Sequence, residues 1–385
     1  MDRRTFIGAC GCYLGSAPLA RGLLGEELPP RIQRPDPKTD EGGLWAHMER
    51  DEARLKESPF LVREVALGTY IQDIACRLSQ GHCPDVRTYV MRSSLFNASM
   101  APNGAMQVWT GLLLRAENEA QVAAVIGHEV GHYVARHSLE RLRDAKSRSA
   151  LASVVGVVPV AGLLAGVGIL AGAYAYSREH ERVADRIGQE LMASAGYPPQ
   201  EASRVWVNLL EELKAEKDWS GDASKRSVLF ATHPHAEERG TTLETMAQSL
   251  TRPGQDARTA AFRQATAPHR RAWLEDELKR RKFGESLALL SRLVKTNPED
   301  GEACYFLGEA YRLRSTDGDG QRALKAYQDA ATRPSAPAEV HRALGNIHRR
   351  AGRTLEMREA YGRYLQARPD AEDAEMIRSY LTEGS

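Results

Sequence analysis

The chain of 385 residues has the composition of an ordinary globular protein, and its 42% hydrophobic content is enough to bury two cores. Lys and Arg total 52 and Asp and Glu total 51, so the formal net charge at pH 7 is only +1. No global field therefore recruits nucleic acid or an anionic membrane, and we predict a two-domain protein that does not bind nucleic acid.

The N-terminus has the plan of a bacterial export signal. Paired arginines precede an uncharged run over 5–20, which ends in small residues that suit a cleavage site. We therefore predict an export signal over 1–22 and a periplasmic protein. The paired arginines suit the twin-arginine route, with the general secretory route as the alternative. Lipidation at Cys10 or Cys12 is disfavoured, because the hydrophobic run before Cys10 is short.

Residues 23–43 are rich in Pro, Gly and charge, which predicts a disordered tether. The next elements are two helices and two strands, predicted over 45–56, 61–78, 86–98 and 105–110. The segment Met100–Gly104 provides a good turn between the two strands, so a plain hairpin is the simplest interpretation.

Removal of the leader would leave three cysteines, Cys76, Cys83 and Cys304, in an oxidising compartment. None of the three has zinc-finger spacing. Cys76 and Cys83 flank a predicted helix end and could form a disulfide. Cys304 occupies a position where a helix core favours a small apolar residue.

The central motif is a His-Glu-x-x-His pair within a predicted helix over 118–137. Asn118 can cap the start of this helix, and apolar residues recur at helical spacing with no proline among them. The i, i+4 spacing places His128 and His132 on one face, about one turn apart, so both imidazoles can reach a single ion. Glu129 then lies beside the open coordination position, where a carboxylate can take a proton from an activated water.

A catalytic zinc site that contains two histidines needs a third protein ligand. A metzincin would place glycine and histidine where this sequence has Ala135 and Ser138, so that pattern is excluded. The segment 177–185 predicts a second helix on which Glu181 and Asp185 share a face. This is the pattern of a gluzincin: Glu181 would complete a His, His, Glu ligand set, and Asp185 would accept the free N–H of a ligand imidazole.

A further histidine, His137, follows the motif by five positions. On a continuous helix it points away from the face that carries His128 and His132. We therefore predict a surface role for His137.

The uncharged stretch over 150–176 could span a bilayer by its length alone. Glu181 must nevertheless meet the two motif histidines, and a single span would separate them by about 30 Å of hydrocarbon. Its 27 residues are too few for two crossings. We predict an apolar hairpin that either packs on the catalytic domain or dips into one leaflet, so peripheral membrane contact stays open.

After a helix predicted over 200–217, the segment Phe230–Arg239 contains His233 and His235. Histidines in a loop are more often solvated than functional. A linker is predicted over 251–268, where a Pro-Gly pair interrupts the chain.

Residues 269–385 form a predicted all-α domain of helical repeats. Leu-Gly pairs occur at 307–308 and 344–345, and prolines close successive units at intervals of 36 and 35 residues. This pattern resembles tetratricopeptide repeats, helix pairs that stack to bury a shared core. An irregular helical bundle is the alternative.

Together these motifs resemble those of HtpX-like and CAAX-prenyl-protease-like zinc metallopeptidases, over roughly residues 55–245. The matching motifs are Asn97-Ala98, Pro102-Asn103-Gly104, Thr110-Gly111-Leu112, the His-Glu-x-x-His pair, Ser177 to Gly188, and Thr232-His233-Pro234 followed by Arg239. With its C-terminal repeats, the chain resembles the periplasmic β-barrel assembly-enhancing proteases. The resemblance implies a mainly α gluzincin domain with a small β-sheet over 44–250, holding one zinc ion per chain, and then an all-α repeat domain over 269–385.

The resemblance also implies roles for residues that the motifs alone leave open. Asn97 and Ala98 would lie on an edge strand to which an extended substrate adds by main-chain hydrogen bonds. His233 would donate a hydrogen bond to the oxyanion, or occupy the zinc when no substrate is present. Arg239 would hold this loop or a peptide carbonyl, and His235 gains no support.

Two functional hypotheses follow. In the first, the chain is a periplasmic zinc endopeptidase for unfolded or misassembled envelope proteins, and residues 269–385 recruit substrate or the outer-membrane assembly machinery. In the second, it is a chaperone or scaffold for outer-membrane protein assembly with a mostly autoinhibited protease site. Glu129 favours the first, because a structural zinc uses four protein ligands and has no use for a general base.

Overall fold

The computed structural model describes residues 28–147, 176–217, 220–223, 227–233 and 236–382. The predicted export signal, most of the apolar stretch over 150–176, and His235 lie outside these residues. Within the described part of the chain, no helix is both long and apolar enough to cross a bilayer.

The described residues form a mainly α fold with one small sheet, which confirms the predicted fold class. The first nine helices are α1 (Asp40–Glu57), α2 (Val65–Ser79), α3 (Thr110–Arg115), α4 (Glu119–Val134), α5 (His137–Ser147), α6 (Arg178–Ser194), α7 (Gln200–Lys214), α8 (Val228–Thr232) and α9 (Ala236–Leu250). The helices that follow are α10 (Thr259–Lys279), α11 (Phe283–Thr296), α12 (Gly301–Arg314), α13 (Asp319–Ala331), α14 (Glu339–Arg350), α15 (Thr354–Ala367) and α16 (Ala374–Thr382). The strands are β1 (Arg87–Met91), β2 (Ala98–Met100) and β3 (Ala105–Trp109).

The sheet has the order β1-β3-β2, with β1 parallel and β2 antiparallel to β3. The prediction of one strand over 86–98 is therefore wrong, because β1 ends at Met91 and β2 lies on the opposite side of β3. Local hydrogen bonds bend the chain out of the sheet between them. Ser93 N–H donates to Thr110 Oγ1 at 3.0 Å, and the Thr110 hydroxyl donates to Ser93 O at 2.9 Å.

One buried carboxylate of α1, that of Glu52, holds the turn between β2 and β3. Glu52 accepts hydrogen bonds from Arg87 Nε at 2.7 Å, from the Tyr89 hydroxyl at 2.6 Å and from Asn103 Nδ2 at 2.9 Å. Burial alone would raise the pKa of Glu52, but the hydrogen bonds from Arg87 and Tyr89 lower it to about 2. Gly104 completes the turn with a φ of +87°, which favours glycine.

The core of the first domain surrounds α4. All sixteen residues of α4 are buried, and α2, α6, α7 and β2 pack against it. A helix that is buried on all sides belongs at the centre of a domain, which explains its apolar residues and its small ones. Asn118 caps this helix by accepting a hydrogen bond from Gln121 N–H at 3.0 Å.

The cysteine pairing that the sequence left open is resolved. Cys76 and Cys83 form a disulfide at the end of α2, and Cys304 is a buried free thiol within α12. Nearby, Arg31 pairs with Asp85 at 2.6 Å, so part of the predicted tether lies against the domain.

The C-terminal helices pack as antiparallel pairs whose contact explains the Leu-Gly pattern. A Cβ added at Gly308 would lie 2.5 Å from the ring of Tyr327, and one at Gly345 would lie 2.3 Å from the ring of Tyr361. Each glycine thus makes room for a tyrosine of the next helix. The same contact occurs between α12 and α13 and between α14 and α15.

The junction between the two parts is helical rather than extended. Helix α10 begins at Thr259, inside the interval predicted as a linker, and it buries Phe262 and Thr266. Trp273 and Leu274 on the same helix are also buried. Apolar residues on one side of α10 therefore continue the core across the junction.

A buried charge network also joins the two parts. Arg115 on α3 pairs with Glu212 on α7 at 2.7 Å and with Glu277 on α10 at 2.8 Å. Each carboxylate keeps a second arginine: Arg280 contacts Glu277 at 2.8 Å, and Arg292 contacts Glu212. The side chain of Arg115 is only 4% exposed, so its charge depends on these partners.

We predict that Arg115→Met lowers the free energy of unfolding by about 3 kcal/mol, because two buried carboxylates lose the cation they share. Arg92→Met is the matched control. Arg92 also pairs with a carboxylate of α10, at 2.7 Å, but its side chain is 53% exposed. Its loss should therefore stay within about 1 kcal/mol. Urea unfolding followed by circular dichroism measures both changes, and equal losses would contradict the assignment.

Candidate metal centre

Helices α4 and α6 approach closely because small residues line their crossing. A Cβ added at Gly131 would lie 2.7 Å from Ala184 O, and one at Gly188 would lie 2.8 Å from His128 N. A Cβ at Gly127 would lie 3.1 Å from Gly188 O. Any larger residue would push the helices apart. Their approach brings the two motif histidines within reach of the acidic face of α6.

Four buried side chains converge at this crossing. His128 Nε2 lies 3.0 Å from His132 Nε2 and 3.1 Å from His233 Nδ1. Glu181 Oε1 lies 3.4 Å from His132 Nε2 and 3.0 Å from His233 Nδ1. These separations are close to the spacing of about 3.3 Å between ligands that each lie about 2.0–2.1 Å from a tetrahedral zinc ion. Three imidazoles and one carboxylate are also ligands that zinc prefers.

The charge balance at the centre gives an independent test of whether these residues suit a metal cation. The described side chains there include three buried carboxylates, Glu129, Glu181 and Asp185, and one buried guanidinium, Arg239. With neutral imidazoles, two negative charges remain, and a divalent cation would neutralise them. Because isolated buried charges are costly, this imbalance favours a bound cation.

Glu129 stands beside the converging ligands. Its Oε2 accepts a hydrogen bond from Met100 N–H of β2 at 3.2 Å, and its Oε1 lies 3.5 Å from His233 Nε2. Among the described residues, Oε1 has no hydrogen-bond partner. Burial raises the pKa of Glu129, although His233 and His128 oppose the shift. One oxygen is thus fixed by the sheet, and the other is placed to accept a proton.

Asp185 and Arg239 contact two of the candidate ligands, His128 and Glu181, and fix their positions. Asp185 Oδ1 lies 2.9 Å from His128 Nδ1, and Arg239 Nε donates to Asp185 Oδ2 at 2.8 Å. Burial alone would raise the pKa of Asp185, but Arg239 and His128 hold it below its usual range. Arg239 Nη1 also lies 2.8 Å from Glu181 Oε2. Arg239, for which the resemblance implied contact with its loop or a peptide carbonyl, therefore faces protein carboxylates, and its geometry is that of a positioning residue.

His233 lies among the ligands rather than in solvent. It follows the last residue of α8, its N–H donates to Leu229 O at 2.7 Å, and it is 3% exposed. Burial alone would lower the pKa of His233, but the carboxylate of Glu181 raises it. Of the two roles considered for His233, this arrangement matches the one in which the imidazole would bind the metal.

Tyr176, which is not among the site residues predicted from the sequence, covers the centre. Its ring stacks on His132 with centroids 3.8 Å apart and lies 5.2 Å from the ring of His233. Its N–H donates to Thr232 O at 3.0 Å, which connects it to the segment that carries His233. No motif marks a tyrosine whose role is to stack on a ligand.

The surface role predicted for His137 is wrong, because this residue is only 4% exposed. The projection assumed one continuous helix, but α4 ends at Val134 and Arg136 takes a left-handed φ of +58°. The turn directs His137 back towards the motif, so that its Nδ1 lies 2.8 Å from His132 Nδ1. Burial and the neighbouring His180 lower the pKa of His137 to about 4.

The segment with Asn97 and Ala98 lies at the edge of the sheet. Trp109 N–H donates to Asn97 O at 3.1 Å, and Ala101 N–H donates to Ala105 O at 2.8 Å. Because main-chain groups alternate along an antiparallel strand, those of Ala98 point away from β3. Among the described residues, no further strand pairs with β2 on that side.

We predict that Gly131→Ala weakens zinc binding, because its added methyl group would meet the backbone of α6 and separate the ligands. Gly68→Ala in α2 is the matched control, since a Cβ there meets nothing within 4 Å. It should leave zinc affinity unchanged and, as a helix-favouring replacement, should not destabilise the fold. Competition with a chromophoric chelator measures both affinities. Unchanged affinity in Gly131→Ala would contradict the role given to the helix crossing.

Comparison with known proteins shows what the sequence around this site is similar to. Residues 63–247 match peptidase family M48. The chain is 28% identical over 203 residues to the beta-barrel assembly-enhancing protease of Escherichia coli K12, covering 48% of this chain and 40% of that protein. It is 37% identical over 150 residues to the mitochondrial metalloendopeptidase OMA1 of Arabidopsis thaliana, covering 39% and 29% respectively. It is 32% identical over 156 residues to OMA1 of Schizosaccharomyces pombe, covering 39% and 43%. The chain thus matches less than half the length of each of these relatives, and its match to peptidase family M48 is confined to residues 63–247.

Proposed function

We propose that the chain is a zinc-dependent endopeptidase that holds one zinc ion through His128, His132 and Glu181. The observation that carries the proposal is the convergence of these three side chains beside Glu129. Three protein ligands with a nearby general base are the arrangement of a catalytic zinc, which keeps one position open. His233 shares that fourth position with the reacting groups.

A bound zinc ion would acidify a water molecule and polarise the scissile carbonyl. Glu129 accepts the proton of the attacking water, and its Oε1 is the oxygen placed to do so. Asp185 accepts the N–H of His128 and so fixes its tautomer. Arg239 keeps both Asp185 and Glu181 in place from the side opposite the reaction.

The substrate is an extended polypeptide that pairs with β2. The main-chain groups of Ala98 face the free edge, and Met100, two residues further on, contacts Glu129. A chain added at this edge would therefore run beside the general base. Asn97 Oδ1 is buried without a hydrogen-bond partner among the described residues, and it can accept from a substrate N–H.

The biological setting is a further part of the proposal. The beta-barrel assembly-enhancing proteases among the relatives support a periplasmic protein that acts on unfolded or misassembled envelope proteins. Residues 269–385 would recruit substrate or the outer-membrane assembly machinery, and residues 150–176 would supply any peripheral membrane contact. The twin-arginine route remains our proposal for export.

One observation favours a second candidate function, a chaperone or scaffold for outer-membrane protein assembly with a mostly autoinhibited site. His233 fills the position that a substrate would need. A chain that rests in this state could bind unfolded proteins without cutting them. The two functions differ in whether loss of Glu129 abolishes the biological effect.

We predict that Glu129→Gln abolishes peptide hydrolysis but keeps zinc content and melting temperature, because the amide cannot accept a proton. Glu49→Gln on the surface of α1 is the control for charge loss. Metal analysis and cleavage of a denatured protein measure both variants. Near wild-type hydrolysis by Glu129→Gln would contradict the assignment. A pulldown from envelope extract with the inactive variant should also retain substrates.

We predict that His233→Ala raises hydrolysis with zinc retained, since the imidazole no longer competes for the fourth position. His47→Ala is the control, because His47 is a partly exposed histidine of α1. Steady-state kinetics with a denatured protein substrate compare the two variants. A loss of about 10²-fold in kcat would instead assign His233 to oxyanion stabilisation. Equal effects of both changes would remove His233 from the site.

A further inference from the structure

We infer that His137 is the positioning residue of His132: it accepts the Nδ1 proton of that ligand and so fixes its tautomer for metal binding. The inference rests on the zinc site proposed above. The two Nδ1 atoms lie 2.8 Å apart, and both side chains are buried. Sequence spacing assigns no such role to His137.

The direction of the hydrogen bond follows from which nitrogen faces the centre. His132 Nε2 lies 3.0 Å from His128 Nε2 and 3.4 Å from Glu181 Oε1, so it is the ligand atom. A neutral imidazole that ligates through Nε2 carries its proton on Nδ1. That proton points at His137 Nδ1, which must therefore offer a lone pair and carry its own proton on Nε2.

The two motif histidines thus have different partners for the same task. His128 donates to a carboxylate, Asp185, whereas His132 donates to a second imidazole. Such partners fix the orientation of a ligand imidazole and tune its basicity. Without an acceptor, the Nδ1–H of His132 would be buried and unpaired, which is costly.

The ring of His137 is itself held in place. It stacks on His180 with centroids 4.4 Å apart and an angle of 22° between the rings. His180 Nε2 lies 3.1 Å from Glu140 Oε2, one turn after His137 on α5. His137 is therefore fixed by the left-handed turn at Arg136 on one side and by the first turn of α6 on the other.

His137, Glu140 and His180 also lie close enough to hold a second ion. Two features favour positioning instead. The rings of His137 and His180 stack face to face, so their lone pairs do not converge on one point. An ion on Nε2 of His137 would also require a proton on its Nδ1, which would then face the N–H of His132 at 2.8 Å.

Three variants of the full chain test the inference. His137→Phe keeps a ring to stack on His180 but removes the acceptor, whereas His137→Asn places an amide oxygen where the histidine has Nδ1. His180→Phe is the matched control, because it keeps the stack and leaves the contact between His132 and His137 intact. Zinc affinity is measured by chelator competition, and the visible spectrum of the cobalt-substituted protein reports the ligand geometry.

We predict that His137→Phe binds zinc about 10–100-fold more weakly and alters the cobalt spectrum, as expected when a ligand loses its partner. His137→Asn should keep most of the affinity, and His180→Phe should resemble the wild type. Equal losses in the Phe and Asn variants, or wild-type affinity in His137→Phe, would overturn the inference. Two zinc ions per wild-type chain, one of them lost in His137→Phe, would also overturn the inference and would indicate a second metal site instead. A wild-type chain that binds no zinc would refute the proposed function itself, which is a distinct result.

Discussion

The close contact between α4 and α6 is the constraint on which the centre depends. Helices with ordinary side chains at their crossing pack about 8–10 Å apart. Here glycines on both helices face backbone atoms of the partner, and only that approach allows His132 on one helix to come within 3.4 Å of Glu181 on the other. The convergence of the ligands therefore depends on Gly131 and Gly188 as well as on the ligands themselves.

Electrostatics explain why so many charged groups tolerate burial in one place. Glu129, Glu181 and Asp185 are each 5% exposed or less, and Arg239 is the one buried guanidinium among the described residues that faces them. A divalent cation would balance the two remaining charges, and each carboxylate then has a defined task. In the proposed function, Glu181 binds the cation, Asp185 orients His128, and Glu129 accepts a proton. The uncharged partner of His132 is consistent with this balance, because another carboxylate there would add an uncompensated negative charge.

Periodicity made much of the site predictable. His128, His132, Glu181 and Asp185 lie on continuous helices, where the i, i+4 spacing fixes which side chains share a face. The fold class followed from the resemblance to zinc metallopeptidases. His137 was misplaced because α4 ends at Val134, three residues before it, and Arg136 then takes a left-handed conformation that no glycine in the sequence indicated. The strand over 86–98 was misjudged because parallel pairing with β3 depends on a distant contact. The buried ion pairs of Arg115 could not be predicted from the sequence either, because its partners lie 97 and 162 residues away along the chain.

We propose that three imidazoles and one carboxylate surround a zinc ion in the resting protein. X-ray absorption spectroscopy at the zinc edge, on the wild type and on His233→Ala, tests this coordination. We expect four nitrogen and oxygen neighbours with the scattering signature of three imidazoles, one of which disappears in the variant. A sulfur neighbour, a six-coordinate oxygen shell, or identical spectra from the two proteins would contradict it.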